Sequence, residues 1–152
     1  MDKNSFGPAF TTSGYPIQLV ELNRLIRTEL HDQHVANVLA DKIRQDMIWT
    51  HPIVVERNAL IILDGHHRYD AARKLGLGYI PCITIDYEDS RLRLECWRSD
   101  EQVSKVDVLR VKHTGKLFPY KTTKHILSPA IGQCAVPLAQ LTLSATQLVG
   151  CV

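Results

Sequence analysis

The sequence predicts an α+β fold in a single domain, a small mixed sheet with short helices beside it. Three observations carry this expectation. The 152 residues fit one domain at roughly 100–200 residues each. Short β-branched or alternating runs, such as Ile53-Val54-Val55 and Leu92 to Trp97, share the chain with stripes of helical period. No internal repeat or low-complexity linker divides the chain. Residues 1–13 mix Gly, Pro, Ser and Thr without periodicity and read as a flexible N-terminal arm, leaving 14–152 as the domain.

Each element follows from its local pattern. Tyr15 to Leu22 alternates as a first strand. Asp32 to Gln45 places Val35, Val38, Leu39 and Ile43 on one face of a helix. His51-Pro52 ends that region, because the residue before Pro is pushed out of the helical basin. Ile53 to Val55 and Leu60 to Leu63, separated by four polar-turn residues, form a hairpin. A Gly-containing turn, a short helix over Tyr69 to Leu75 and a Gly76 cap come next. Tyr79 to Asp86 is a further strand, with Pro81 near its start, where a missing N–H suits a sheet edge. Leu92 to Trp97 reads as a half-exposed strand. Ser99, with Gln102 three residues on, caps a third helix carrying Val103, Val106 and Leu109, which Gly115 and Pro119 end. After Lys124 no charged residue occurs, so Val136 to Leu141 reads as a buried closing strand or as part of a sticky tail.

Composition narrows the function classes. Eighteen Lys+Arg against sixteen Asp+Glu give a net charge of +2, which argues against a dedicated nucleic-acid binder. No apolar run approaches the roughly 18 residues of a membrane span. Met1 to Gly14 lacks the basic and apolar regions of a secretory signal, so a cytoplasmic location is expected. Cys82, Cys96, Cys134 and Cys151 include no CxxC pair, and read as reduced, mostly buried thiols.

The most informative stretch is Leu63-Asp64-Gly65-His66-His67-Arg68-Tyr69. A strand running through a glycine turn into a helix directs free backbone N–H groups and the positive helix end the same way, which suits phosphate. Arg68 adds a guanidinium fork. Asp64 suits a magnesium ion, which takes one or two carboxylates plus substrate phosphates. On these residues alone, an ordinary turn with a solvated His pair is the competing reading. Adjacent His66 and His67 diverge on a helix, so zinc is not expected. His31 and His34, with Asp32, imitate a metal pair, although histidines near a helix cap need no ligand.

Ile62 to Ile80, ILDGHHRYDAARKLGLGYI, resembles the signature of the ParB/sulfiredoxin fold, whose strand-GxxR-helix turn binds nucleotide phosphates. Sulfiredoxin carries a nucleophilic Cys where this chain has His66, so cysteine sulfinate repair is not expected. ParB partition proteins add a helix-turn-helix domain, for which this chain is too short. More specifically, the turn is similar to that of the free L-serine kinases, which is itself Asp-Gly-His-His-Arg. Those kinases also carry Lys-Thr-Thr-Arg-His after a Gly-x-x-x-Pro segment. Here the matching stretch is Gly115-Lys116-Leu117-Phe118-Pro119-Tyr120-Lys121-Thr122-Thr123-Lys124-His125, with Lys124 in place of Arg. That change keeps the charge and loses the fork. The resemblance spans roughly Ile17 to Leu141.

The resemblance implies phosphorylation of the hydroxyl of free L-serine, or a close hydroxy-amino acid, to O-phospho-L-serine. ATP or ADP would be the donor, with Mg2+ at Asp64. It implies Glu29 as the base, with Asp64 and His67 also in the catalytic group. Asp64, Gly65, His66, His67 and Arg68 would hold the nucleotide, and Trp97, Thr122, Thr123, Lys124 and His125 the substrate. From the residues themselves other readings stay open. Glu29 could be a helix N-terminal charge, with Glu21 a rival base; Trp97 could be core; Thr122 to His125 could be a polar loop. Two other functions remain, a non-catalytic ParB-like nucleotide-binding switch and a heme- or ligand-sensing regulator. Expected partners are the nucleotide and serine, with no membrane or nucleic acid, and a homodimer formed through the uncharged C-terminal segment.

Overall fold

The computed structural model describes residues 11–97 and 102–142. In chain order the strands are β1 (Thr11–Thr12), β2 (Tyr15–Pro16), β3 (Gln18–Glu21), β4 (Ile48–Trp49), β5 (Ile53–Glu56), β6 (Ile62–Asp64), β7 (Tyr79–Ile85), β8 (Leu92–Cys96), β9 (Thr123–Leu127) and β10 (Val136–Pro137). The helices are α1 (Gln33–Asp46), α2 (His66–Lys74) and α3 (Lys105–Thr114), with 3₁₀ turns at Leu22–Arg24 and Leu138–Gln140. The expected α+β class with a mixed sheet is what the chain forms.

The central sheet runs β3-β7-β5-β6. β7 is antiparallel to β3 and parallel to β5, and β5 is antiparallel to β6 through an irregularity at Val54/Val55. Alternation along β5 explains its burial on both faces. Ile53 and Val55 pack with Trp49, Ile62, Ile80 and the α2 residues Tyr69 and Ala72. Val54 turns to the opposite core with Leu63, Ile83, Ile85, Val108 and Leu127. The β8–β9 ribbon and α3 contribute to that second core. Among the described residues, no helix is long and apolar enough to cross a membrane.

Asp32 caps α1, its carboxylate accepting from the N–H groups of His34 and Val35. Several expectations need correction. Pro81 lies in a central strand, not at an edge. β5 begins opposite Cys82, so Pro81 is paired only with Leu19 of β3 and its missing N–H interrupts no β5 pairing. The third helix starts after Ser104, whose hydroxyl accepts from Asp107 N–H while the Asp107 carboxylate accepts from Ser104 N–H. A capping box with an acid at its third position thus falls beyond Val103, and Ser99 lies outside the described residues. Thr11 and Thr12, expected in the arm, pair with β2; residues 1–10 lie outside the described residues. The first strand is divided at Ile17 between β2 and β3. Val136 to Leu141 keeps only two strand residues, paired with β4, before the 3₁₀ turn buries Leu138 and Leu141. Cys82 is buried, but Cys96 and Cys134 are only partly so; all three are free thiols, and Cys151 lies outside the described residues.

Candidate active site

β6 delivers Asp64 to a turn that only glycine can make. Gly65 has φ +114°, and a Cβ there would lie 2.4 Å from Ile53 Cγ2. The side chain must be absent for the strand to enter α2 against β5. No side chain caps the start of α2, so its first N–H groups are not satisfied by a cap. Arg68, in the first turn of this helix, is half-buried and has no ion-pair partner among the described residues. Asp64 opens to the same space. Its carboxyl is pushed up by desolvation and drawn back by the Arg68 guanidinium.

A second segment is clamped against this turn. The residue 26–30 stretch pairs with the β6 edge through Ile26 N–H to Leu60 O and Ile62 N–H to Ile26 O, at 3.0 and 2.8 Å. On its other side Phe118 N–H donates to Thr28 O and Leu30 N–H donates to Phe118 O, both at 2.9 Å. The Gly-x-x-x-Pro segment thus forms a strap that fixes Glu29. The buried Glu29 carboxylate accepts from the Thr123 N–H and from the Thr123 hydroxyl, the latter at 2.7 Å. Burial raises its pKa, Asp64 raises it further, and the donors from Thr123 and the Thr122 backbone oppose the shift. A carboxylate that is both desolvated and fixed is a positioned proton acceptor.

The two turn histidines have different jobs. Nε2 of buried His66 accepts from Thr28 N–H at 3.0 Å and Glu29 N–H at 3.2 Å. Burial and surrounding positive groups push its pKa down to about 3, so it stays neutral and anchors the Glu29 segment to α2. His67 Nε2 accepts from Asp32 N–H at 3.0 Å, tying the α1 cap to the same turn. Its ring lies edge-on to Tyr120 at 5.4 Å. His31 faces Asp70 at 3.2 Å, whereas His34 is exposed, so the imitation metal pair does not form.

These pieces enclose a cleft of about 370 Å³. Glu29, Asp64, Gly65, His66, His67, Arg68, Trp97, Thr123, Lys124 and His125 all line it. Thr122 does not; its hydroxyl donates to Pro119 O, and it contributes through its backbone. The stretch that could have been a polar loop is strand β9 from Thr123 onward. Trp97 is 51% exposed, not core, with Lys124 Nζ 4.6 Å and Lys121 Nζ 5.6 Å from its ring centroid. This gives the mouth a cationic, aromatic lip. Glu21, the rival base, lines a separate groove with Asn23, Tyr69 and Arg73.

Sequence reasoning missed Leu30, Val35 and Leu39, which form an apolar wall, and Tyr120 and Lys121 at the lip. Val35 and Leu39 belong to the helical stripe, but pattern alone does not say which apolar residues face a cleft. Tyr87 was also missed; it touches His125 from outside the lining. As a magnesium site the cleft supplies Asp64 with Glu29 nearby, and no cluster of three or more metal-capable side chains exists among the described residues. That donor set fits a hard cation held largely by ligand phosphates, and does not fit an all-protein cage.

The fold and its turn define a class, an α+β domain with an uncapped helix start at a strand-to-helix junction. A solved free serine kinase in complex with AMP superposes with a TM-score of 0.78 at 14% identity, covering 87% of this chain and 96% of that one. In sequence, the chain is 36% identical over 85 residues to a ParB-like protein of Sulfolobus acidocaldarius, 56% of this chain and 42% of that protein. It is 38% identical over 84 residues to an ATP-dependent L-serine kinase of Desulfurococcus mucosus, 52% of this chain and 32% of that protein. The matches thus span between about a third and two-fifths of these curated relatives' length. No family model matches the sequence. The fold is the one seen in free serine kinase structures, and the resemblance to that family expected from the two motifs is borne out.

Proposed function

We propose that this chain is a nucleotide-dependent kinase that phosphorylates the hydroxyl of free L-serine, or a close hydroxy-amino acid, giving O-phospho-L-serine. The observation that carries the reading is the convergence of two segments on one cleft. A buried carboxylate, Glu29, faces the same space as the Gly65 turn and the Arg68 guanidinium.

In this reading the donor's phosphates rest on the first N–H groups of α2 and on the Arg68 fork. The serine carboxylate meets the Lys121 and Lys124 ammonium groups beside Trp97. Glu29 accepts the serine hydroxyl proton as the serine oxygen bonds to the terminal phosphorus and the bond to the nucleotide leaving group breaks. His66 and Thr123 keep the carboxylate in place, so the reactants meet in one geometry. Asp64 would hold a magnesium ion together with the phosphates, where it would neutralise their charge. The relatives' named activity favours ATP as donor; the phosphate turn alone would accept ADP as well.

Glu29→Gln tests the reading. It should lower turnover by about 10²–10⁴-fold while nucleotide binding, followed by calorimetry, survives. Retained turnover would remove Glu29 as the base. Nucleotide binding with no acceptor phosphorylated by the wild-type chain would favour the ParB-like switch instead.

A further inference from the structure

We propose that His125 is a positioning residue: braced by Tyr87, its ring holds the Leu63 carbonyl and so sets the Asp64–Gly65 turn against Glu29. The inference rests on the kinase reading above. It gives His125 a place behind the reacting groups, in contrast to the substrate contact that the resemblance implies.

The ring is held at both nitrogens. Tyr87 Oη lies 2.7 Å from Nε2. Nδ1 is buried, and the Leu63 carbonyl is the backbone acceptor that faces it. A carbonyl only accepts, so Nδ1 carries a proton. Burial keeps the ring neutral, with a pKa pushed down to about 4; the Leu63 carbonyl opposes that shift and Lys105 adds to it. A neutral ring protonated at Nδ1 accepts at Nε2, so the Tyr87 hydroxyl donates there. Tyr87 is fixed in turn from α3, where Lys105 Nζ donates to its carbonyl and sits 5.1 Å from its ring centroid. The donors thus run from Tyr87 through His125 to Leu63.

Leu63 is where the sheet needs such a strut. Val54 pairs with Asp64 and Val55 with Ile62, so Leu63 is the extra residue of a bulge in β6, without a register partner on β5. A bulge leaves its extra residue outside the ladder and re-aims the chain that follows. Here the chain that follows is Asp64 and the Gly65 turn. The same strand holds the other half of the cleft. The Thr123 hydroxyl, two positions before His125 on β9, donates to the Glu29 carboxylate. Side chains two apart share a strand face. One face of β9 therefore fixes both the base and the turn assigned to the phosphates, and His125 sets their separation.

Kinetics and histidine spectra test this together. His125→Leu should lower kcat about 10–100-fold, the loss that a slightly misplaced reacting group produces. The KM for serine should change by no more than about twofold, because the ring does not bind the substrate. His125→Asn, whose amide can imitate the Nδ1 donor, should recover most of the loss. Tyr87→Phe should lower kcat by less than His125→Leu does, again without moving KM. A serine KM raised about tenfold at unchanged kcat would put the ring on the substrate and overturn the proposal. Full kcat in His125→Leu overturns it as well, and full kcat in Tyr87→Phe overturns the brace. Long-range proton–nitrogen correlation spectra, with His125 assigned by its loss in His125→Asn, should show the Nδ1–H pattern in the wild-type chain. A ring protonated on Nε2 overturns the proposal whether or not the chain is active. If no phosphoserine forms at all, the kinase reading fails separately and the spectra decide the strut. An Nδ1–H pattern that stays in place during titration with inorganic phosphate supports it, and one that is displaced overturns it.

Discussion

Glu29 owes its properties to a small set of opposed effects. Desolvation and Asp64 push its pKa up, while the Thr123 hydroxyl and the backbone donors pull it down. Thr123→Val removes one of the lowering donors, so the carboxyl should titrate at higher pH. The acid limb of the turnover profile should move the same way; an unmoved limb would separate Thr123 from the base. His66 makes a prediction of a different kind. Its pKa is about 3 in the folded chain against an ordinary 6.5, so the unfolded chain binds the proton first. Its contribution to stability is complete above about pH 6.5 and is lost as pH falls toward about 3. The slope is up to about 1.4 kcal/mol per pH unit for this one group. His125, depressed to about 4, acts in the same direction. Urea midpoints between neutral pH and the onset of acid unfolding should fall accordingly, and His66→Asn should flatten the slope.

The strand-to-helix turn from β6 to α2 is the element on which the site depends. Gly65→Ala would impose a positive φ on a residue with a Cβ and drive that atom into Ile53 Cγ2. We expect a loss of at least about 1–3 kcal/mol in denaturation experiments, with nucleotide affinity falling too because the turn must move. Full retention of both would mean that the turn tolerates a side chain. This element was legible in the sequence because strand, glycine and helix follow one another without a break. The Asp32-capped α1 and the β5–β6 hairpin were legible for the same local reason. Other features depend on distant partners. Pro81 could not be placed centrally without knowing that β5 starts one residue later in register, opposite Cys82. Pairing of β8 with β9 joins segments about thirty residues apart, and no local pattern specifies that register. Ser104 with Asp107 is also a local signal, because Asp serves at the third position as Glu or Gln does.

At the scale of the whole molecule, the cleft is assembled from segments that the chain keeps far apart. The 26–30 stretch, the Asp64–Arg68 turn and the Tyr120–His125 stretch meet because Phe118 and the β6 edge clamp the first between them. The identities of ten cleft-lining residues were readable in advance, largely through two motifs in a fixed order. Their meeting point was not, because it rests on backbone pairing across nearly ninety positions, as between Glu29 and Phe118. The apolar wall of Leu30, Val35 and Leu39 belongs to this scale as well. Those side chains would pass for ordinary amphipathic surface until the cleft beside them is formed.

Phosphorus NMR of the purified chain with magnesium, L-serine and either ATP or ADP tests the central claim most directly. The account predicts a phosphomonoester resonance that matches O-phospho-L-serine, growing with one donor and absent from the Glu29→Gln variant. Donor that binds yet leaves serine unphosphorylated, with either nucleotide, would contradict it.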